Sequence, residues 1–191
     1  DHWPAAALGK LYLFAHAVPE SHLGLGTVPT GGAALHWLVR LITGGRQPNE
    51  EEISRWLERA REVPAGARGL VFLPYLAGTG TPHMDYGARG AFVGLTESHG
   101  PAELARAVLE GVAYSLRDSI ELFRSLNVPI SQVRATGGGA RSGLWRQILA
   151  DVFGTELVTV NITDSSAYGA ALLAGASAGG AHLRDGHVQA T

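Results

Sequence analysis

Three consecutive glycines, Gly137, Gly138 and Gly139, stand between a strand-like run and a helix-like run. Residues 132–135 have strand character, and apolar residues of the stretch Trp145-Arg146-Gln147-Ile148-Leu149-Ala150-Asp151-Val152-Phe153 recur at helical spacing. Glycine has no Cβ, so it tolerates positive φ and lets another molecule approach the backbone closely. A helix start behind the glycines adds free N–H donors and a positive dipole end. Two readings stand side by side: a ligand cradle at the carboxyl end of a strand, where open α/β sheets bind ligands, or a tight strand-to-helix turn that binds nothing.

The segments around this junction alternate in kind. Gly100-Pro101 opens the longest predicted helix, with Pro at its first position and Glu103 in its first turn. Leu104, Val108, Val112, Leu116, Ile120 and Phe123 make one apolar stripe on it, sustained to about Leu126. Gly111 interrupts that helix at a propensity cost of about 1 kcal/mol against alanine, which predicts close approach by another element. Strands are predicted at 133–136 and 156–160, and a small-residue helix at 165–174. Helix, strand, helix, strand, helix reads as crossover units on a parallel sheet.

The first half is less regular. Residues 10–15 are rich in strand formers and end towards Pro19. A helix is predicted from about Thr30 to Ile42, closed by Gly44-Gly45, and a second from Glu50 to Arg61 behind Asn49 as N-cap. The acidic start and basic end of the second suit the helix dipole and read as an ordinary surface. Residues 70–73 and 91–95 are strand-like, and the turn-rich stretch 74–90 between them is long enough to imply a task. Within it, His83 and Asp85 read as loop anchors rather than metal ligands, because no third ligand has a recognisable spacing. His16, at a strand end, reads as structural. The tail after Gly179-Gly180 looks polar and frayed.

Composition removes several classes of partner. The formal net charge of −2 points to neither nucleic acid nor an anionic membrane surface. No apolar run approaches membrane-spanning length. Cysteine is absent, so there is no disulfide framework and no thiolate metal site, which is compatible with a cytoplasmic home. The chain starts at Asp1 without Met and reads as a fragment of something longer.

Four stretches in order resemble the C-terminal domain of the FGGY family of carbohydrate kinases, the xylulokinase branch most closely. They are Phe14-Ala15-His16-Ala17-Val18-Pro19, Phe72-Leu73-Pro74-Tyr75-Leu76-Ala77-Gly78 with Thr81-Pro82-His83, Ala88-Arg89-Gly90-Ala91-Phe92-Val93-Gly94-Leu95-Thr96, and Gly137-Gly138-Gly139-Ala140-Arg141-Ser142 with Trp145 and Gln147. Tyr168-Gly169-Ala170-Ala171 resembles the closing helix of that family. The resemblance implies a ribonuclease H-like fold of the actin, sugar-kinase and Hsp70 superfamily, an α/β mixed sheet with flanking helices that lacks its first strands. Residues 1–180 would form the adenosine-binding domain, with a helical and loop excursion at about 20–90, and 181–191 a tail.

By the same resemblance, the intact enzyme transfers the γ-phosphoryl of ATP, with Mg²⁺, to a hydroxyl of a ketose, D-xylulose first among the candidates. Ribulose, gluconate and glycerol are the family's other acceptors. Gly137, Gly138 and Gly139 would cradle adenosine, with Gly138 against the adenine and Ser142 placed to hydrogen-bond the base. Gly32, Leu35 and His36 would line the opposite wall. For Ser142, helix capping and base contact stay open side by side. The catalytic aspartate, sugar pocket, N-terminal phosphate loop and phosphate-contacting Gly-Thr hairpin of the family precede this chain, so a missing N-terminal domain is the expected partner and no residue here is assigned catalysis or metal binding. A homodimer is left open. The chain alone is expected to phosphorylate no sugar.

One motif departs from the family pattern. Gly78-Thr79-Gly80-Thr81-Pro82 stands where Gly-Glu-Arg-Thr-Pro is usual, so a charged pair is missing from the long loop. Two rival readings stand beside the kinase reading. A dinucleotide oxidoreductase needs Gly-x-Gly-x-x-Gly and an acid at the next strand end, and neither is matched cleanly here. An actin-like nucleotide-gated regulator shares the fold, and only the kinase-like loop from Phe72 to Thr96 speaks against it.

Overall fold

In the computed structural model, which describes residues 5–17, 20–160, 165–178, 181–184 and 187–190, the chain begins with β1 (Tyr12–Ala15), β2 (His22–Leu25), α1 (Ala33–Ile42) and α2 (Glu50–Arg61). There follow β3 (Val71–Leu73), β4 (Ala91–Val93), α3 (Pro101–Ser125), β5 (Val133–Ala135), α4 (Gly143–Phe153), β6 (Leu157–Thr159), α5 (Ser165–Ser177), β7 (Ala181–Arg184) and β8 (His187–Ala190). β1 pairs antiparallel with β2, and β3 with β4. β5 and β6 pair in parallel, with Val133 opposite Leu157, and α4 is the crossover between them. That unit is the one predicted around the glycine turn. The architecture is mixed α/β, as expected. Pro19, read as the end of the first strand, lies outside the described residues.

Helix α3 is the axis on which the other elements pack. It lies against β3, α1, α2 and α4, and its Val108 and Val112 are almost wholly buried with Leu38, Val39, Leu70, Phe72, Ile148 and Val152. Gly111 explains how β3 comes so close. A Cβ built there would overlap the carbonyl oxygen of Phe72 and lie 3.0 Å from its carbonyl carbon. The Phe72 ring in turn sits 4.6 Å from that of Phe92 across the β3–β4 pair. The far end of α3 closes a smaller cluster in which Leu122 and Leu126 pack with Ala7 and Leu11.

A buried ion pair sits on the same helix. Arg106 Nε donates to Glu110 Oε1 at 2.6 Å, and the backbone N–H of Gly66 donates to the same oxygen at 3.0 Å. Both residues are more than nine-tenths buried. The pair therefore fastens the turn before β3 to the helix beneath it.

Helix starts follow their predicted chemistry. The Asn49 side chain accepts from the Glu52 N–H at 2.9 Å, and the Glu52 carboxylate accepts from the Asn49 N–H at 3.1 Å, closing a capping box. At α3, hydrogen bonds from the N–H groups of Glu103 and Gly100 hold the Glu103 carboxyl below its ordinary value. Strand β2 was not foreseen, because Gly24 and His22 dilute its strand character; it is held by pairing with β1 along its length. The stretch read as a polar tail contains β7 and β8, paired antiparallel with Leu183 opposite Val188. Among the described residues no helix is long and apolar enough to cross a membrane.

The long loop 74–90 is tied down at and beside the residues where the family pattern is broken. Thr81 is buried; its Oγ1 donates to the Lys10 carbonyl at 2.9 Å and accepts from the Thr27 N–H at 3.2 Å. Gly80 packs so tightly that a Cβ there would overlap Thr27 Oγ1 and the Thr27 carbonyl oxygen. Asp85 Oδ1 accepts from the Gly87 N–H at 2.8 Å and anchors the loop, whereas His83 Nε2 stands 3.8 Å from Asp118 Oδ2, beyond hydrogen-bond reach. Gly80→Arg, which restores the residue usual in the family, is expected to cost about 1–3 kcal/mol by overpacking. Urea unfolding checks this, and an unchanged midpoint would show that the loop has room to spare.

Candidate functional site

Each of the three glycines has a different physical task. Gly137 has φ +80° and ψ −170°, a backbone state that side chains disfavour. From it the chain enters a single helical turn, Gly138–Arg141, and then α4. Gly139 is crowded, since a Cβ there would lie 3.1 Å from Trp145 Nε1. A Cβ built on Gly137 would meet nothing within 4 Å, and one on Gly138 a single neighbour, Arg141 Nη2 at 3.6 Å. Arg146 Nη1 donates to the Ala140 carbonyl at 2.7 Å and braces the turn from below.

Gly138, Gly139 and Ser142 form one wall of a cleft of about 620 Å³. The start of α1, with Gly31, Gly32, Leu35 and His36, lines the same cleft. Its floor is apolar, made by Val108, Leu109, Val112 and Leu116 of α3 with Ile53 and Leu57 of α2. Leu35 is buried, whereas His36 is exposed at the rim. A volume of this size, an apolar floor and a few convergent polar groups are the usual makings of a small-molecule site.

Two stretches about a hundred residues apart in the chain, around Gly32 and around Gly138, thus line the same cleft. Gly137 stands outside the cleft lining and serves the turn. Ser142 resolves its two readings in an informative way. It is the N-cap of α4, accepting from the Trp145 N–H at 3.2 Å, and it also lines the cleft. A serine hydroxyl has two acceptor lone pairs and one donor hydrogen. Capping uses one lone pair and leaves the hydrogen for a ligand acceptor.

Sequence reasoning missed Glu50, Ile53, Leu57, Arg141 and Trp145 as lining residues. The charge pattern of α2 reads as a solvated face, and nothing local in it reports the apolar side turned to the cleft. For Arg141 a signal existed, because it lies inside the glycine motif itself. Among the described residues no three His, Asp or Glu side chains converge on a point that could hold a metal ion. The donor set here does not fit Mg²⁺, and no chemical step is assigned to a metal held by this chain.

Residues 9–178 match the FGGY family of carbohydrate kinases, C-terminal domain. The chain is 39% identical over 165 residues to a xylulose kinase of Staphylococcus epidermidis, covering 86% of this chain and 32% of that protein. Among solved structures it is similar to xylulose kinase from Rhodospirillum rubrum, with TM-score 0.76 and 34% identity over 95% of this chain and 37% of the other. Gluconate kinase from Lactobacillus acidophilus follows, with TM-score 0.77 and 32% identity over 95% of this chain and 37% of the other. The chain spans about a third of the length of the curated relatives it matches.

Proposed function

Because the chain belongs to the FGGY family of carbohydrate kinases and forms its C-terminal domain, we propose that it is the nucleotide-side lobe of an ATP-dependent sugar kinase. The cleft between α1 and the Gly138–Ser142 turn would hold the adenine and ribose of ATP. The observation that carries this reading is the open face of Gly138 in an apolar-floored cleft, opposite Gly32 and Leu35. A flat purine lies on bare backbone there, and the free hydrogen of the Ser142 hydroxyl meets an acceptor on the ring edge.

The γ-phosphoryl would pass to a hydroxyl of a ketose, and D-xylulose is the first candidate because a xylulose kinase stands among the close relatives. Gluconate is the second, on the similarity to a gluconate kinase. Phosphoryl transfer is governed by positioning and charge stabilisation, with a carboxylate accepting the hydroxyl proton. This chain supplies positioning of the base. The carboxylate, the sugar pocket and the groups that hold Mg²⁺ and the terminal phosphates belong to the remaining polypeptide of a full-length cytoplasmic enzyme.

Gly138→Leu in the full-length protein puts a branched side chain onto the surface where the base is to lie. The KM for ATP is expected to rise about tenfold or more, with the KM for the sugar unchanged, since one blocked contact face of a base is worth about 1–3 kcal/mol. An unchanged KM for ATP would place the base elsewhere. ADP production by the 191-residue chain alone with D-xylulose would contradict the division of labour between the two parts.

A further inference from the structure

The mouth of the cleft carries an ion pair that neither neighbouring helix needs. Arg141 Nη2 lies 3.5 Å from Glu50 Oε2, joining the last residue of the glycine turn to the first residue of α2. Both residues line the cleft. Capping does not require Glu50, because Asn49 and Glu52 close the capping box between themselves. The turn does not require Arg141, because Arg146 braces it. Stability is a poor explanation as well: both side chains are mostly exposed, and exposed pairs contribute little.

What the pair does is hold a planar guanidinium beside the open face of Gly138. Arg141 Nη2 is the one atom that a Cβ on Gly138 would meet, at 3.6 Å, which is ordinary van der Waals contact. A ring settling on the open face of Gly138 therefore comes into contact with the guanidinium, which lifts to take its outer side. Lifting is easy because the tether is an exposed ion pair. Guanidinium is also planar and weakly hydrated, so it stacks well on an aromatic face.

On the reading of this cleft as a base site, we propose that Arg141, tethered by Glu50, is a positioning residue for the nucleobase. It is a movable wall that lies over Gly138 and lifts to stack on the outer face of the bound ring. Stacking on a ring is sequence-neutral chemistry, so the wall grips any purine and leaves edge recognition to groups such as the Ser142 hydroxyl.

The test uses the full-length protein, with ATP as substrate and adenosine as a competing ligand that has no phosphates. Arg141→Ala is expected to raise the KM for ATP about tenfold and the inhibition constant of adenosine by a similar factor, with kcat at saturating ATP unchanged. Arg141→Lys should recover little of this, because an ammonium has no plane to stack. Glu50→Gln should raise the KM about two- to threefold, the share expected of an exposed tether. Thermal unfolding of all three is expected to match the parent protein. An unchanged KM in Arg141→Ala, full recovery with lysine, or an adenosine inhibition constant that stays put while the KM rises would each overturn the proposal. Gly138→Leu separates the two levels. If it raises the KM for ATP and Arg141→Ala does not, only the role of Arg141 falls; if Gly138→Leu also has no effect, the base site itself is wrong.

Discussion

Replacing Gly111 by alanine is expected to destabilise the protein by about 3 kcal/mol. Helix propensity alone gives the opposite sign, since alanine in a helix interior is favoured over glycine by about 1 kcal/mol. Packing decides the sign here. The new methyl group would overlap the carbonyl oxygen of Phe72, a backbone atom held by the β3–β4 pairing, and no side-chain rotation relieves that. Either α3 moves away from β3 or the strand distorts. Both open the cluster of Val108, Val112, Phe72 and Leu38 that forms the centre of the core. Urea unfolding followed by circular dichroism reads the change directly, and a stabilised Gly111→Ala variant would mean that α3 and β3 are not in contact at this point.

Removing the Glu110 carboxylate is expected to cost about 3–5 kcal/mol in Glu110→Ala. The side chain is buried and answers two donors at once, the Arg106 guanidinium at 2.6 Å and the Gly66 N–H at 3.0 Å. Alanine leaves a buried cation without its partner and a backbone donor without an acceptor, and the first of these dominates. Pairing Arg106→Met with Glu110→Leu should recover much of the loss, because the uncompensated charge is gone and only the Gly66 N–H is left unanswered. The double variant is thus expected to be markedly less damaged than the sum of the singles. Additive losses would show that the two side chains do not act as a pair.

These two positions also mark what was legible in the sequence. Gly111 announced itself, since a glycine inside a strong helix needs a reason and close approach is the commonest one. The apolar stripe of α3, the Asn49 cap and the βαβ unit around the glycine turn were readable for the same kind of reason: local chemistry dictates them. Arg106 and Glu110 were not noticed, because a charged pair four residues apart on a helix ordinarily faces water. Their burial is set by the turn at Gly66 and by β3, which arrive from far away in the chain. The cleft was legible in part. Gly32, Leu35, His36, Gly138, Gly139 and Ser142 were expected on facing walls through the ordered resemblance, and all six line one cleft. The contribution of α2 was invisible, because its charged face dominates its sequence while Ile53 and Leu57 do the lining. Gly137 was grouped with its neighbours by type, although its positive φ gives it a separate task.

On the proposed reading, the base of ATP lies on Gly138, between α1 and the start of α4. A crystal structure of the full-length protein with ADP tests it most directly. The expected result is a purine ring against the backbone of Gly138, its edge within hydrogen-bond reach of Ser142 Oγ and its other side facing Gly32 and Leu35. Bound ADP whose base lies away from these residues would contradict the account.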